Sequence, residues 1–554
     1  MSGGVLAAGF AHLAAAQAAS RGLAFALNLA AARRLGPEAY GLGAVQFHLL
    51  TTTVLFLARE GVRRASLRAG ATPGRRALVG AAWLCPPAGA AVALALALVV
   101  QRWRGGGSLR GDAYARAVAW HGMAAVIELL SEPVQLLAQV DLRFKLRMWA
   151  ETAATTLKCV VTYALLVRGA APESVFSAAQ LAYAGAVCAL YWGFYLGVLG
   201  ERGLGPPLGL PGPGPGAQNK GQGGGTQGQG QRVGGGEGGG RAWDPELLRM
   251  CAVFSLQSVE KHVLAEGEKL VLAIFQSGYD QGVYGLVSNL GSLVVRIVFQ
   301  PFEEAAFTAF SHSAQGPAGA SLAGRRRQGE LLLPLLKGVA LVGLLAGALG
   351  PSYSYTVLRL AYGDRWAETD APAVLTLYSF YVVTLALNGL TEAFVHATAS
   401  KAQLGAINRM LVVFSAVFVA ASVLFVRLWG TSGVVLAGCV NMSLRIIFSC
   451  SLIAQHFEGV PEFRLRAAVP SRWVFLAAAA AFAATRASER AVLSRDTSLF
   501  LRTGAAHLAL GVLAAAAFVA SAAFADRELL QQALAGLRAR RGAARSGQRQ
   551  KKQA

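Results

Sequence analysis

Apolar stretches of about 17–28 residues recur along almost the whole chain, near 8–32, 41–60, 77–100, 115–138, 149–168, 175–199, 247–272, 282–311, 331–358, 371–398, 404–428, 431–455, 472–486 and 502–525. A hydrocarbon layer about 30 Å thick is crossed by roughly 20 apolar residues in a helix, where every backbone polar group is satisfied within the segment. This pattern predicts an all-α polytopic membrane protein of about 14 transmembrane helices. Apolar residues make up 54% of the sequence and charged residues 14%, whereas soluble domains carry about 25% charged residues. The stretch near 472–486 is short and that near 247–272 unusually polar. The start runs into the first span without a basic segment, so no cleaved signal peptide is expected.

A net charge of +22 would suggest nucleic acid for a soluble chain. In a membrane protein it reads instead as Lys and Arg retained on cytoplasmic loops, and no nucleic-acid partner is expected. Even-numbered loops hold Arg63, Arg64, Arg68, Arg75 and Arg76, then Arg143, Lys145 and Arg147, then Arg325, Arg326 and Arg327; seven basic residues run from Arg538 to Lys552. Arg102, Arg104 and Arg110 blur the rule, but the balance places both termini in the cytosol. The six cysteines fall mostly inside spans without CxxC spacing, so neither a disulfide framework nor a metal site is indicated. No Walker loop, HExxH or GxSxG occurs, and aspartates do not pair for metal-held sugar nucleotides. The chain is not expected to be an enzyme, and no cofactor is implied.

Residues 201–243 are dominated by Gly, with Pro-Gly alternation at 211–216 and Gln-Gly repeats at 221–231. Such composition cannot bury enough apolar surface to offset its ordering entropy, and it reads as a disordered cytosolic linker. The expected organisation is a six-helix lobe at 1–200, this linker at 201–243, a second six-helix lobe at 244–456, two additional helices at 457–525 and a basic cytosolic tail at 526–554.

Two landmarks repeat between the lobes. Tyr40-Gly41-Leu42 and the following Arg59-Glu60 have counterparts in Tyr284-Gly285-Leu286 and Glu303-Glu304, 244 residues later at both points, and Ser131-Glu132 echoes Thr391-Glu392. Internal duplication is how many transporters build a central site. Polar side chains form stripes on several spans. In the eighth, Asn289, Ser292, Arg296, Gln300 and Glu303 recur at three- or four-residue spacing ahead of and beyond Pro301; in the fourth, Glu128, Ser131, Glu132, Gln135 and Gln139 surround Pro133; in the seventh, Gln257, Glu260, Lys261 and Glu268 share one side. Arg21, Lys158, Glu392 and Arg445 are isolated charges in other spans, and Arg59, Glu60, Arg63 and Arg64 close the second. A charge at mid-bilayer costs about 2.5–3.5 kcal/mol on insertion scales, so these groups must face protein or water. Singly, each reads equally as an ion pair locking two helices, and the group at 59–64 also as a snorkelling anchor. Together they suggest a hydrated cavity. Guanidinium groups there suit an anionic phosphate, and carboxylates and amides suit sugar hydroxyls.

The runs LFLAREGVRRASL (55–67), AVIELLSEPVQLLAQ (125–139), LAEGEKLVLAIF (264–275) and YDQGVYGLVSNLGSLVVRIVFQPFEE (279–304) resemble the Rft-type family of endoplasmic-reticulum proteins, related to bacterial lipid II flippases. The resemblance implies a two-lobed fold, residence in the endoplasmic-reticulum membrane and translocation of a dolichol diphosphate-linked Man/GlcNAc heptasaccharide for N-glycosylation. Membrane lipid and N-glycosylation enzymes are the other partners it suggests. A non-transporting accessory and a cation-coupled exporter of small molecules are the alternative functions. Lys551-Lys552 before the C-terminus resembles a dilysine retrieval signal of that compartment.

Overall fold

The computed structural model describes residues 25–68, 74–104, 112–141, 143–201, 204–206, 243–295, 299–314 and 321–525, and among these every regular element is helical. After a helical stretch at 25–32, the helices are α1 (Pro37–Gly41), α2 (His48–Arg68), α3 (Arg75–Ala82), α4 (Cys85–Arg104), α5 (Asp112–Leu129), α6 (Glu132–Val140), α7 (Phe144–Val167) and α8 (Pro172–Trp192). There follow α9 (Pro245–Phe275), α10 (Gly278–Val294), α11 (Gln300–Ala314), α12 (Leu322–Tyr362), α13 (Asp364–Ala367), α14 (Ala371–Thr398), α15 (Lys401–Trp429), α16 (Thr431–His456), α17 (Arg472–Ala491) and α18 (Thr497–Ala525). The Gly-rich stretch is described only at its edges, and the tail beyond residue 525, with Lys551 and Lys552, lies outside the described residues.

Among the described residues ten helices are long and apolar enough to cross a membrane, or eleven when α5 and α6 count as one bent span. Three of the fourteen expected stretches are not among these. Most of the stretch near 8–32 lies outside the described residues. The stretch near 247–272 folds as the 31-residue α9 but carries Glu246, Arg249, Lys261, Glu266, Glu268 and Lys269, too many charges for a lipid-facing span. The stretch near 282–311 is described as α10 and α11 on either side of residues 296–298, which lie outside the described residues.

Two compact units emerge, one holding residues up to Arg34 and Gln46–Gly267, the other Leu35–Val45 and the chain from Glu268 onward. In the first, Val54, Leu55, Ala58 and Val62 of α2 form a core with α3, Cys85, Leu129, Leu136 and Leu247, while α7 and α8 pack around Val134, Leu137, Ala154 and Tyr191. Gly61 lets α9 close on α2: a Cβ there would collide with Ser255 and the Cys251 carbonyl. In the second unit α14 is central, packed against α10, α11, α12 and α16, and Val474, Ala478 and Phe518 seat α17 and α18 on α12. At 41 residues α12 is about 60 Å long, twice the hydrocarbon thickness.

The two Tyr-Gly-Leu copies pack on each other within the second unit. A Cβ on Gly282 would strike the Pro37 carbonyl, one on Gly41 would meet backbone atoms of Gly278 and Gly282, and one on Gly285 would press on Ala44 and the Tyr40 ring. Small residues allow this close approach, as is common where membrane helices cross. Immediately after α1 the chain makes a π-helical turn over Leu42–Phe47, a widening often found beside functional positions.

Candidate functional site

The first unit gathers the charges of α2 against the bend between α5 and α6. Pro133 has no N–H for the carbonyl four residues back, and Ser131 Oγ donates to the Glu128 carbonyl at 2.6 Å. The two helices meet at 45°, setting Glu128 and Glu132 one turn apart opposite Arg59 and Arg63, themselves one turn apart. Arg59 Nη1 donates to Glu128 Oε1 at 2.9 Å. Arg63 grips both oxygens of Glu132 through Nε and Nη2, the latter at 2.8 Å, and Nη2 also reaches Gln135 Oε1 at 2.8 Å. Gln135 in turn donates to Ser131 Oγ at 2.7 Å. The Glu132 side chain is fully buried and Glu128 nearly so. Bidentate guanidinium–carboxylate pairing of this kind is the arrangement that makes burial of two charges tolerable. Arg64 pairs instead with Glu60 one turn earlier on α2, at 2.5 Å.

The donor count separates the two central arginines. Among the described residues Arg63 has three hydrogen bonds, whereas Arg59 spends one of its five N–H donors and remains one-quarter exposed. Lys261 on α9 is exposed, with no hydrogen bond or ion pair to the described residues. The Glu260 side chain beside it lies outside the described residues, as do Arg21 and Arg296. On the same helix His262 meets Thr53 Oγ1 at 2.8 Å and tilts over the Phe56 ring. Lys158 of α7 donates to Gln180 Oε1 of α8 at 2.6 Å and lies 5.7 Å from the Tyr183 ring centre.

The second unit repeats the theme with different donors. Glu392 on α14, the counterpart of Glu132, is held bidentate by Arg445 of α16 at 2.7 Å to each oxygen. The pair borders a pocket completed by Val395, His396, Ile407, Leu411, Phe414, Phe448 and Ser449. Glu303, at the repeat position of Arg59, turns its carboxylate onto the α14 backbone at Gly389, where any Cβ would overlap it. Asn289 Nδ2 donates to Tyr40 Oη at 2.9 Å, and the Tyr284 hydroxyl donates to Glu268. The arginine facing the acidic position thus comes from the second span in one half and from the twelfth in the other.

Sequence reasoning passed over a polar cluster at α17 and α18. Buried Arg359 contacts Asp364 at 2.5 Å, the Arg495 carbonyl at 2.6 Å and the Phe500 ring at 4.1 Å. His507 bridges Ser488 Oγ and the Ser352 carbonyl at 2.9 and 3.0 Å. The available signal was an arginine near a span end with an aspartate five residues on, and a histidine alone in an apolar run.

A family model described as Rft protein matches residues 6–535. The "Man(5)GlcNAc(2)-PP-dolichol translocation protein RFT1" of Xenopus tropicalis is 32% identical over 522 residues, covering 92% of each chain; that of Mus musculus is 32% identical over 79% of this chain and 80% of its own. Among solved structures, the lipid II flippase MurJ in an inward closed conformation superimposes with a TM-score of 0.56 at 11% identity, over 91% of this chain and 98% of its own. A multidrug resistance MATE family transporter of the MOP superfamily, inward-facing, gives 0.55 at 13% identity, over 78% and 96%. These likenesses identify a transporter-type helical fold.

Proposed function

Because the chain belongs to the Rft protein family, we propose that it moves Man(5)GlcNAc(2)-PP-dolichol from the cytosolic to the lumenal leaflet of the endoplasmic-reticulum membrane. The observation that carries this reading is the pair of guanidinium groups on α2, held inside a helix bundle by carboxylates yet with Arg59 left rich in unused donors. A diphosphate offers more acceptor oxygens than Glu128 and carries more charge, so it can draw Arg59 from its partner without leaving the cation uncompensated. In this reading Arg63, Glu132 and Gln135 hold the bend that positions Arg59. Within the first unit Glu60, Arg64 and Lys261, and within the second Glu268, Asn289, Glu303, Glu392 and Arg445, are the further candidates for contact with headgroup and sugar hydroxyls, while the polyprenyl tail stays in lipid.

One observation favours a second reading. Arg63 and Arg445 already have carboxylates on both forks, which suits a fixed bundle that binds the glycolipid and assists N-glycosylation without carrying it across. Reconstitution separates the two. Purified protein in vesicles with labelled Man(5)GlcNAc(2)-PP-dolichol is expected to make the inner-leaflet pool accessible to an added lectin. Binding of the lipid with no gain in accessibility over protein-free vesicles would leave only the accessory role.

A further inference from the structure

Within the first unit one buried oxygen and one amine lack the partners their chemistry asks for. Glu128 is 5% exposed; its Oε1 accepts from Arg59, but Oε2 is enclosed and accepts no hydrogen bond from the described residues. Lys158 sits midway along α7 and, among the described residues, has Gln180 as the one acceptor for its three N–H donors. No carboxylate of the described residues lies within ion-pair distance of it. Its contacts are Gln180 and Tyr183 from α8, with Cys159 beside it on its own helix, and the charges that act on it across α8, which packs on both α5 and α7, are Glu128 and His121 of α5, Glu128 being held in turn by Arg59 of α2. His121 donates from Nδ1 to the Ala117 carbonyl and stacks on Phe47, so it adds no counter-charge. Asn28 of the stretch 25–32 closes the far side of Cys159 at 3.5 Å. Arg59 is thus paired with Glu128, and among the described residues no carboxylate pairs directly with an ammonium at Lys158.

We propose that Lys158 and Glu128 form a proton-binding site, filled when an anionic headgroup draws Arg59 off Glu128 and emptied when Arg59 returns. This rests on the diphosphate reading given above. Once Arg59 turns to phosphate, Glu128 keeps its charge with both oxygens unpaired, and Lys158 is the base within its field. The amine lone pair takes H+ from a hydronium ion, forming one N–H bond, breaking one O–H bond and leaving a neutral water, and the ammonium then lies in the field of the carboxylate. Return of Arg59 reverses the step, and the proton goes back to water on whichever side the site then opens. Substrate passage is thereby tied to proton movement, with the linkage reciprocal.

Calorimetric titration of the full-length protein in detergent with a short-chain polyprenyl diphosphate-linked chitobiose, in two buffers of different ionisation heat, reads the protons directly. The expected result is uptake of about one proton per headgroup bound, with Kd tightening by up to about tenfold per unit fall in pH. Lys158→Gln is expected to bind with no uptake and no pH dependence. Lys158→Arg, whose charge is permanent, should behave likewise and serves if the glutamine variant does not fold. Binding by the unaltered protein without proton uptake overturns the proposal and leaves the diphosphate reading standing. Uptake that persists in both variants overturns the assignment to Lys158. Failure of the unaltered protein to bind the probe sinks the diphosphate reading and this inference with it.

Discussion

Glu132 has no exposed surface, and its charge is tolerable only because Arg63 meets both of its oxygens. Removing one partner of such a pair strands the other, while removing both leaves apolar packing in place of two desolvated charges. Arg63→Ala is therefore expected to lower stability by about 3–5 kcal/mol, seen as a fall in the melting temperature of the protein in detergent. Arg63→Met combined with Glu132→Leu should recover most of that loss. If the pair positions Arg59 for a diphosphate, the recovered double variant should still fail to restore N-glycosylation in cells lacking the native protein. Full restoration would reduce the pair to a helix clamp. The other half offers a sharper contrast in chemistry. Arg445→Lys keeps the charge beside Glu392 but loses the second of two parallel hydrogen bonds. A drop in support of glycosylation without loss of the protein from the membrane is expected, since a point charge does not replace a planar fork.

At the scale of elements, the bend at Ser131 and the crossing of α1 on α10 govern what those residues can reach. Pro133→Ala restores an N–H and favours a straight helix, swinging Glu128 and Glu132 out of register with Arg59 and Arg63. Loss of glycosylation support together with a lower melting temperature is the expected outcome. Gly282→Val drives a branched side chain into the Pro37 carbonyl. It should destabilise the second unit by about 1–3 kcal/mol, while Gly185→Ala, with nothing within 4 Å of the added carbon, should leave the melting temperature unchanged. Much of this layer was legible in the sequence. The stripe from Glu128 to Gln139 and its proline announced a polar face with a break, and three- or four-residue spacing fixed which residues share it. The identity of the facing cation was not legible. Arg59 and Arg63 lie 69 residues from their acids and Arg445 lies 53 from Glu392, separations set by tertiary packing alone. For the same reason the repeat at Arg59 and Glu303 preserved the position and not the sign of the charge.

At the scale of the molecule, polar contacts tie loops of like parity together within each unit. Arg75, after the second span, meets Glu201 at 2.7 Å and Asp141 at 3.4 Å, and Arg143 meets Asp141 at 3.7 Å, joining the ends of the second, fourth and sixth spans. In the other unit Arg325 donates to the Glu458 carbonyl and Arg326 meets Glu462 at 2.7 Å, joining the regions that follow the eighth and twelfth spans. These are the basic loops that charge bias assigns to the cytosol. Cys85, Cys159 and Cys251 are buried and Cys188, Cys439 and Cys450 half-buried, so with the latter three changed to Ser single introduced thiols report the labelling. Arg76→Cys and Arg327→Cys are expected to react with an impermeant maleimide outside sealed microsomes, and Arg168→Cys only after permeabilisation. The reverse pattern would invert the orientation.

The meeting of the two Tyr-Gly-Leu copies has a consequence for inheritance. Where a repeated segment packs against its own counterpart, a side chain fixed early in both copies is met by itself, and glycine is the residue that suits both sides of such an encounter at once. Once the copies can vary separately, each is free to take new work. Tyr40 now receives a hydrogen bond from Asn289, while Tyr284, the same letter 244 positions on, gives one to Glu268. The same letter thus serves as an acceptor in one copy and a donor in the other.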